Sequence, residues 1–373
     1  MAKNDFKIVA EDGKARAGVL TTSHGAVETP VFMPVGTQAT IKGVPHDILG
    51  CPVILANAYY LYLKPGIQVI KKFGGLHKFM NWKGSILTDS GGFQIFSLAA
   101  LFKIHEGGVE FRSKFDGSRH FLTPGDVIDV QIALGSDIMM VLDRCVEYPQ
   151  PRAVIERAAA QTVKWAEESV KHFRKRDTNQ KLFAIVQGGT DEALRRRCSE
   201  ELSVLPFDGF AVGGLGVGEP RSLRKEVLEE TLGFLDPLRP RYVMGMGPAD
   251  EIWEAVEAGA DMFDCVMPTR NGRNGQAFTF SGKLNLRNAK FKDDEKPIEQ
   301  GCSCPPCRSY SRAYIHHLFN VGEMLAQTLA SLHNINFMLN LMNLIRNSIK
   351  ENAFQKEKKK FLKFWRKDVR SGD

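Results

Sequence analysis

Long apolar runs are missing from this sequence. No continuous stretch is long enough to cross a bilayer, and the first residues, M-A-K-N-D-F-K, lack the apolar segment of a secretion signal. Cysteine is also scarce, because the 373 residues contain only seven, an odd number that does not suit a disulfide framework. These absences predict a cytoplasmic protein, in a reducing compartment, with no membrane association.

The residues that are present favour a globular α/β protein. Hydrophobic residues make up 43% of the chain, which is enough for one large domain or two ordinary domains. The net charge of +7 is modest for this length. It permits a polyanionic partner without requiring one.

Eight short apolar runs, most of them separated by helical patterns, predict the strands of a parallel sheet. Turn residues at Asp116-Gly117 and Ser281-Gly282 predict two inserted β-hairpins. Eight βα units in a chain of this length favour a (β/α)8 TIM-type barrel, with a doubly wound open sheet as the alternative. The predicted strands comprise residues 30–36, 53–58, 86–90, 138–143, 182–187, 209–214, 242–247 and 262–266.

Polar residues stand at the carboxyl ends of five predicted strands. In either fold these ends meet on the face that binds ligands. Burying several polar groups together has a desolvation cost that turn chemistry does not explain, so a functional site is the better interpretation. The polar residues are Asn57, Asp89, Asp143, Gln187 and Asp264, and Gly213-Gly214 and Met244-Gly245 end two further strands.

Two kinds of chemistry are indicated by these residues. Asp89 and Asp264 are carboxylates on different strands, and such a pair can act as nucleophile and general acid/base at a glycosidic carbon. Asp143 and Gln187 offer acceptors and donors that can recognise the edge of a purine-like ring. Backbone N–H groups at Gly213-Gly214 can contribute to that recognition.

Two apolar side chains near the same strand ends can hold such a ring. Phe93 and Met244 offer flat or polarizable faces that suit a sandwich around a purine. Ordinary core packing is the alternative for both residues.

A cluster of cysteines predicts a metal site. The motif C-S-C-P-P-C places Cys302, Cys304 and Cys307 within reach of one ion, and a histidine can complete a tetrahedral Cys3His site. Four protein ligands leave no open position, so we expect one structural zinc ion rather than a catalytic one. The candidates for the fourth ligand are His316, His317 and His333.

Two basic segments suit contacts with phosphate. Arg270 and Arg273 follow Asp264 in P-T-R-N-G-R-N-G, which we interpret as a flexible loop beside the nucleophile. The run from Lys356 to Arg370 predicts an amphipathic helix. Its basic face either contacts RNA or is solvated.

Together these motifs resemble those of bacterial tRNA-guanine transglycosylases. The matching segments are T-D-S-G-G-F-Q, I-V-Q-G-G, G-G-L-G-V-G-E, M-G-M-G, F-D-C-V-M-P-T-R-N-G-R and C-S-C-P-P-C followed by His333, and the resemblance spans residues 5–350. It implies a (β/α)8 barrel catalytic domain over residues 1–287. It also implies a zinc-binding subdomain with a basic C-terminal helical segment over residues 288–373, and usually a homodimer.

The resemblance implies a reaction as well. Guanine at the wobble position of tRNAs with G-U-N anticodons would be exchanged for 7-aminomethyl-7-deazaguanine, a step in queuosine biosynthesis. Asp264 matches the nucleophile that forms a covalent intermediate with the ribose, and Asp89 matches the general acid/base. The base-binding residues match Asp143, Gln187, Gly214, the Leu215 carbonyl, Phe93 and Met244, and the zinc ligands match Cys302, Cys304, Cys307 and His333.

A few positions bear on the choice of base. Cys145 and Val217 resemble the bacterial pattern, which implies the aminomethyl base rather than queuine. Three residues depart from the pattern of bacterial relatives. Arg144 stands where Glu is common, and Ala58 and Tyr60 replace the usual Thr and His.

Two other classes of protein fit parts of the sequence. A non-catalytic RNA-binding homologue would lack the catalytic acids, but both Asp89 and Asp264 are present. A barrel hydrolase or lyase acting on a small sugar would need two acids, but it leaves the paired arginines and the cysteine cluster unexplained.

Overall fold

A computed structural model describes residues 5–92 and 102–365 of the chain. In these parts the strands are β1 (Phe6–Asp12), β2 (Ala15–Thr22), β3 (Gly25–Thr29), β4 (Val31–Gly36), β5 (Val53–Asn57), β6 (Ser85–Asp89), β7 (Phe102–His105), β8 (Gly108–Arg112), β9 (Arg119–Leu122), β10 (Ile138–Met140), β11 (Lys181–Val186), β12 (Gly209–Val212), β13 (Arg241–Val243), β14 (Met262–Cys265), β15 (Gln276–Thr279) and β16 (Gly282–Asn285).

The α-helices of the described parts alternate with most of these strands. They are α1 (Ala58–Leu61), α2 (Ile67–Lys72), α3 (Leu76–Met80), α4 (Pro124–Leu134), α5 (Arg152–Phe173), α6 (Glu192–Ser203), α7 (Arg221–Phe234), α8 (Ala249–Glu257), α9 (Met267–Arg273), α10 (Pro305–Ser309), α11 (Arg312–Val321), α12 (Met324–Lys350) and α13 (Phe354–Trp365).

Eight parallel strands close into a barrel in the order β10-β11-β12-β13-β14-β4-β5-β6. All eight predicted strands are confirmed, and the alternative of an open sheet is wrong. Pro34 lies inside β4, where it pairs with Cys265 at the last position of the ladder between β4 and β14. A proline is tolerated there because few ladder hydrogen bonds remain to be made.

The barrel strands are apolar because both of their faces are buried. Every residue of β11 and β12 is buried, and the helices α5, α6 and α7 cover the outside of this part of the barrel. Continuous apolar runs, rather than alternating ones, are expected for parallel strands enclosed on both sides. The polar residues that remain at the strand ends are therefore conspicuous.

Three small antiparallel sheets are added to the barrel. β1, β2 and β3 form one sheet, β7, β8 and β9 form a second, and β15 and β16 form a hairpin. The two hairpins predicted from sequence are confirmed, although the first gains a third strand, β7. The sheet β7-β8-β9 is inserted after β6, which places it on the face that carries the strand ends.

The C-terminal helices pack on the barrel. Helix α12 contacts β1, β2 and β4 and also α9, which follows the last barrel strand. In α13, Phe361 and Trp365 are buried, while Lys359 and Lys363 are exposed, so the amphipathic prediction is confirmed over residues 354–365. A division of the chain at residue 287 stays a prediction. Among the described residues no helix is both long and apolar enough to cross a membrane.

Candidate active site and metal centre

Asp89 ends strand β6 and is held by the neighbouring strand. Its carboxylate accepts a hydrogen bond of 2.5 Å from Asn57 Nδ2 and one of 3.0 Å from the Ala58 backbone N–H. Burial raises the pKa of Asp89 to about 7, and the negative charge of Asp264 adds to the rise against these hydrogen bonds. A carboxyl group with this pKa can both give and take a proton near neutral pH.

Asp264 ends strand β14 and has a different environment. Its Oδ1 accepts hydrogen bonds from Tyr242 Oη at 2.5 Å and from the Gly245 backbone N–H at 2.8 Å. Burial raises the pKa of Asp264, and these two donors oppose the rise. Both bonds go to Oδ1, and the nucleophilic role of Asp264 stays a prediction.

A second polar pair, Asp143 and Gln187, follows the carboxyl ends of strands β10 and β11. Asp143 accepts a hydrogen bond of 2.7 Å from Gln187 Nε2, and Ser90 Oγ donates to its other oxygen at 3.4 Å. Burial raises the pKa of Asp143 to about 6, so its carboxylate is mostly ionised at neutral pH and accepts hydrogen bonds. A Cβ added at Gly92 would lie 2.0 Å from Asp143 Oδ1, which explains one glycine of the T-D-S-G-G motif.

The glycine pair after β12 lies against Gln187. A Cβ added at Gly214 would lie 2.3 Å from Gln187 Oε1, and one at Gly213 would lie 2.8 Å from its Nε2. Gly214 also has φ +66°, a conformation that other residues rarely adopt. The structure therefore brings together Asp143, Gln187 and the glycine pair as the sequence predicts.

A buried cation behind this pocket was not foreseen from the sequence. Arg195 is 1% exposed and donates to the carbonyls of Gly189 at 2.7 Å and Gly213 at 2.9 Å. Within the described parts of the chain it has no ion-pair partner, and burial lowers its pKa to about 10. Its charge is compensated by carbonyl dipoles at the ends of two strands, so Arg195 fixes the backbone on which the pocket is built.

Glu219 fixes the next segment of the pocket wall. Its carboxylate accepts hydrogen bonds from the Gly216 N–H at 2.5 Å and the Val217 N–H at 3.0 Å. Gly214, Val217 and Glu219 line a cavity beside the glycine pair. Leu215 lies in this same segment, and the role of its carbonyl stays a prediction.

Several other predicted residues are also accounted for. Met244 is partly buried beside Gly245, at the end of β13. Phe93 lies outside the described residues, so its sandwich role stays a prediction.

Arg270 and Arg273 lie in helix α9, and the expectation of a flexible loop there is wrong. The Gly272 of this helix permits close packing on α12, because an added Cβ would lie 2.7 Å from the Ser331 backbone.

Arg144 does not change the charge of the pocket directly. Its Nη1 donates to Gln161 Oε1 on helix α5 at 2.7 Å, and its backbone N–H donates to Thr162. The guanidinium is thereby held against α5, although the residue follows Asp143 in the sequence.

The cysteine motif and one distant histidine form a compact cluster. The Nδ1 atom of His333 lies 3.9, 3.5 and 3.3 Å from the Sγ atoms of Cys302, Cys304 and Cys307. Tetrahedral zinc with ordinary bond lengths would separate these atoms by about 3.6 Å. His333 Nε2 donates to the Phe278 carbonyl at 2.7 Å, which orients the ring and leaves Nδ1 free for a metal. These four residues could hold a metal ion.

The competing histidines are engaged elsewhere or exposed. His316 Nδ1 lies 2.9 Å from the Leu286 carbonyl, and its other nitrogen contacts Asn320. His317 is exposed. His333 is thus the fourth member of the cluster, as the resemblance implies.

His24, His77 and Asp137 form a second group of possible metal ligands, but their contacts are those of hydrogen bonds. His24 Nδ1 lies 2.7 Å from Asp137 Oδ1, and His77 Nε2 lies 3.2 Å from Asp137 Oδ2. The two imidazole rings are stacked 3.5 Å apart at an angle of 11°. Lone pairs in two parallel, stacked rings cannot both point at one ion, so we interpret this group as two histidines that share one carboxylate.

Fold and site together define the chain as a (β/α)8 barrel with two acids at its carboxyl face and a separate metal-binding cluster. The family described as queuine tRNA-ribosyltransferase matches residues 11–367. A queuine tRNA-ribosyltransferase of Thermoanaerobacter pseudethanolicus is 50% identical over 97% of this chain and 98% of its own length. One of Helicobacter pylori is 49% identical over 96% of this chain and 98% of its own length. The chain belongs to the queuine tRNA-ribosyltransferase family and is a pentosyltransferase.

Proposed function

We propose that this protein exchanges guanine at the wobble position of tRNAs with G-U-N anticodons for 7-aminomethyl-7-deazaguanine. The observation that carries the proposal is the pair of acids, since Asp264 is held by two donors on one oxygen while the pKa of Asp89 is about 7. Such a division suits a nucleophile and a general acid/base at the anomeric carbon. The family of the chain supports a pentosyl transfer on tRNA.

In the first step Asp264 attacks C1′ of the ribose. A bond forms between its carboxylate oxygen and C1′ while the bond from C1′ to guanine breaks. Protonated Asp89 gives its proton to the leaving base, which departs neutral. Tyr242 and Gly245 hold Asp264 in place for this attack.

The second step reverses the first with a different base. Asp89, now a carboxylate, takes a proton from the incoming 7-deazaguanine, whose ring nitrogen attacks C1′ and displaces Asp264. Two displacements retain the configuration at C1′, and the exchange of one base for another needs no nucleotide triphosphate.

The pocket between β10, β11 and β12 recognises the base. Asp143 and Gln187 contact the polar edge of the purine, and the backbone N–H of Gly214 adds a donor. The N–H of Gly213 is not available for this, because it donates to the Val186 carbonyl at 3.1 Å. The Leu215 carbonyl accepts from the aminomethyl group, and Met244 and Phe93 sandwich the ring. The buried hydrogen bond of 2.7 Å between Gln187 and Asp143 supports this assignment because it orients both side chains.

The remaining contacts hold the RNA. Arg270 and Arg273 on α9 contact phosphates of the anticodon loop beside Asp264. The closeness of the two arginines supports this assignment. Burial lowers the pKa of Arg273, and the positive charge of Arg270 lowers it further, which indicates that the two cations lie close together. The exchanged base must leave the loop stack, which is easier in a single strand than in a duplex.

The cluster of Cys302, Cys304, Cys307 and His333 holds one structural zinc ion in this proposal. When bound, zinc with four protein ligands stabilises the surrounding fold and has no open position for substrate. Helix α10 begins at Pro305 inside the motif and contains Cys307, and this helical turn keeps the thiols at the short spacing that one ion requires.

We further propose that the protein acts in the cytoplasm as a homodimer. Helix α11 and the start of α12 expose Tyr314, Val321, Met324 and Leu325, and we call these four residues the α11–α12 patch. Met324 is 79% exposed and Val321 is 56% exposed. Exposed apolar side chains that are close together in the chain support an association surface there.

The proposed reaction is tested by two measurements. Labelled 7-aminomethyl-7-deazaguanine should enter a G-U-N tRNA but not the same tRNA with adenine at the wobble position. Asp264→Asn should abolish both incorporation and the covalent RNA adduct seen on a denaturing gel. Asp261→Asn serves only as a control for effects on folding, because Asp261 is buried directly before the same strand, β14, and is bound to Arg16. An adduct that survives in Asp264→Asn would show that the nucleophile is another residue.

A further inference from the structure

Lysines and aromatic rings meet at the rim of the catalytic face, on the side of Asp89. Lys114 Nζ lies 4.1 Å from the centre of the Tyr60 ring and 5.2 Å from that of Phe115. Lys64 Nζ lies 5.6 Å from the centre of the Phe115 ring. We call Tyr60, Lys64, Lys114 and Phe115 the rim platform.

The rim platform is connected to the catalytic acid by short contacts. The Tyr60 N–H donates to Asn57 Oδ1 at 2.9 Å, and Asn57 in turn donates to Asp89 at 2.5 Å. Lys64 follows α1 directly in the chain, and the sheet whose β8–β9 turn carries Lys114 and Phe115 packs on α1, because the rings of Tyr59 and Phe111 lie 5.3 Å apart. The platform therefore has a fixed position at the mouth of the site.

The charges of this surface are not neutralised by the protein. Lys64, Arg112, Lys114 and Arg119 are exposed, and none of them has an ion-pair partner within residues 5–92 and 102–365. The acid of the intervening turn, Asp116, accepts hydrogen bonds from serines of the same turn instead. Unpaired cations interleaved with exposed rings are the surface that single-stranded nucleic acid binds.

Phe115 has the exposure that base stacking requires. Its side chain is 42% exposed at the tip of the turn between β8 and β9, so an incoming ring can reach its face. Aromatic side chains stack on any base, and adjacent lysines can contact the phosphate of the same nucleotide. Phe115 and Lys114 are consecutive residues that can divide these two tasks.

We propose that the rim platform binds a nucleotide of the anticodon loop that flanks the exchanged guanosine. Lys114 and Lys64 contact its phosphate, and its base stacks on Phe115. This inference rests on the proposed function and adds a binding site to it. Helix α9 would hold the nucleotide on the other side of the exchanged guanosine. It follows β14, and β4 and β5 separate β14 from β6 around the barrel.

Contacts on both sides of the pocket have a physical purpose. When a base leaves the loop stack, the RNA backbone on either side of it must move as well. Binding the neighbouring nucleotides on both sides reduces the conformational entropy that is lost when the base is flipped out. The platform touches no reacting atom in this arrangement. Its removal should therefore weaken RNA binding and leave the chemical step unchanged.

The test uses the full chain and an RNA hairpin with a G-U-N anticodon loop. KM and kcat for exchange of labelled guanine, and the Kd for the same RNA by fluorescence anisotropy, are measured from about 50 to 200 mM salt. The variants are Lys114→Ala and Phe115→Ala, with Lys114→Arg and Phe115→Tyr as conservative changes. Lys83→Ala is the matched control, because Lys83 is exposed in the loop before β6, at the opposite end of the barrel.

The two alanine variants should differ in a diagnostic way. Lys114→Ala should raise KM and Kd about fivefold and lower the slope of log Kd against log salt by about 0.7, the value for one phosphate contact to a single strand. Phe115→Ala should raise KM and Kd about tenfold with the slope unchanged, because stacking is not ionic. The conservative variants should recover most of the binding, and kcat should stay the same in all of them.

Failure of this inference can be distinguished from failure of the proposed function. If Lys114→Ala and Phe115→Ala bind the RNA as tightly as Lys83→Ala does, the rim platform is not an RNA site. If the unaltered protein exchanges no base on any tRNA, the proposed function is wrong, and the anisotropy measurements still decide whether the platform binds RNA. A fall in kcat with unchanged KM would also overturn the proposal, since it would place these residues in the chemical step.

Discussion

At the scale of single residues, the two acids of the proposed reaction share a barrel face but differ in their hydrogen bonds. Asp264 accepts from Tyr242 and Gly245, and Asp89 accepts from Asn57 and Ala58. Burial raises the pKa of both carboxyl groups, and that of Asp89 reaches about 7, which suits the residue that would carry a proton in the first proposed step and lose it before the second. In the proposed reaction, environment rather than residue type distinguishes the two roles.

The pKa of Asp89 predicts the pH dependence of the first step. Since that pKa is about 7, Asp89 is mostly protonated below pH 7 and mostly ionised above it. In the proposed reaction, release of guanine in a single turnover needs protonated Asp89 and ionised Asp264, so its rate should fall about tenfold per unit above pH 8 and level off as the pH is lowered to about 6. Rapid-quench measurement of labelled guanine checks this. A rate that is independent of pH from 6 to 9 would remove Asp89 from this role.

Arg195 supports the pocket through its backbone. Arg195→Met should leave the carbonyls of Gly189 and Gly213 without their donor, which lowers the free energy of unfolding by about 3 kcal/mol and raises KM for the incoming base at least about tenfold. Arg195→Lys should recover part of the stability but not the KM, because an ammonium group cannot span several carbonyls as a guanidinium does.

The control for this prediction is the next residue in the chain. Arg196 is exposed on the same helix and pairs with Glu192 at 2.9 Å, so Arg196→Met should cost less than about 1 kcal/mol and leave KM unchanged. Urea unfolding and steady-state kinetics measure both quantities. Equal effects of the two substitutions would show that Arg195 has no special role in the pocket.

At the scale of elements, the structure differs most from the sequence prediction at α9. The segment P-T-R-N-G-R-N-G has the composition of a loop, because Asn and Gly favour turns. It is nevertheless helical because it packs on α12, a contact between residues about 60 positions apart. Gly272 makes that contact possible, since an added Cβ would lie 2.7 Å from the Ser331 backbone. Local composition does not contain this information.

Gly272→Ala should therefore destabilise the protein. The alanine methyl group would force α9 away from α12 and lower the free energy of unfolding by about 2 kcal/mol, and the displaced Arg270 and Arg273 should weaken RNA binding. Gly233→Ala is the control, because Gly233 is exposed in α7 with no atom within 4 Å of an added Cβ. That substitution should stabilise the helix by up to about 1 kcal/mol. Thermal unfolding of both variants decides the matter.

At the scale of the whole molecule, the barrel brings residues from distant parts of the chain to one face. Asp89 and Asp264 are far apart in sequence, but parallel strands end on the same side, so their carboxylates share a site. The metal cluster, the rim platform and the α11–α12 patch all lie outside the barrel strands. Each can be altered without changing the acids, which makes separate tests possible.

The proposed dimer is tested at this scale. The unaltered protein should sediment at micromolar concentration with about twice the chain mass of 41.6 kDa. Met324→Lys should shift it toward the monomer, because a charge would be buried without a partner in the interface. Val204→Lys is the control, since Val204 is 83% exposed outside the α11–α12 patch and should leave the mass unchanged. A monomer in all three samples would contradict the proposal.

Much of the site was predictable because its residues interrupt apolar strands. Asp89, Asp143, Gln187 and Asp264 could be found in this way, since a polar residue at the end of a buried strand has a desolvation cost that a ligand site explains. Tyr242 and Arg195 could not, because a tyrosine within a strand and an arginine on an amphipathic helix are ordinary in sequence. Their roles depend on contacts with residues 22 and 18 positions away.

The sequence by itself determined the eight strands, the acids at their ends and the spacing of Cys302, Cys304 and Cys307. These features depend on local periodicity and on residues that are close along the chain. Apart from the resemblance to a known family, only the tertiary structure decided that the sheet closes and that His333 rather than His316 joins the cysteines. The tertiary structure alone decided that α9 is a helix. It also decided that lysines and aromatic rings meet beside Asp89. These outcomes depend on packing between distant segments, and no pattern within one segment encodes such packing.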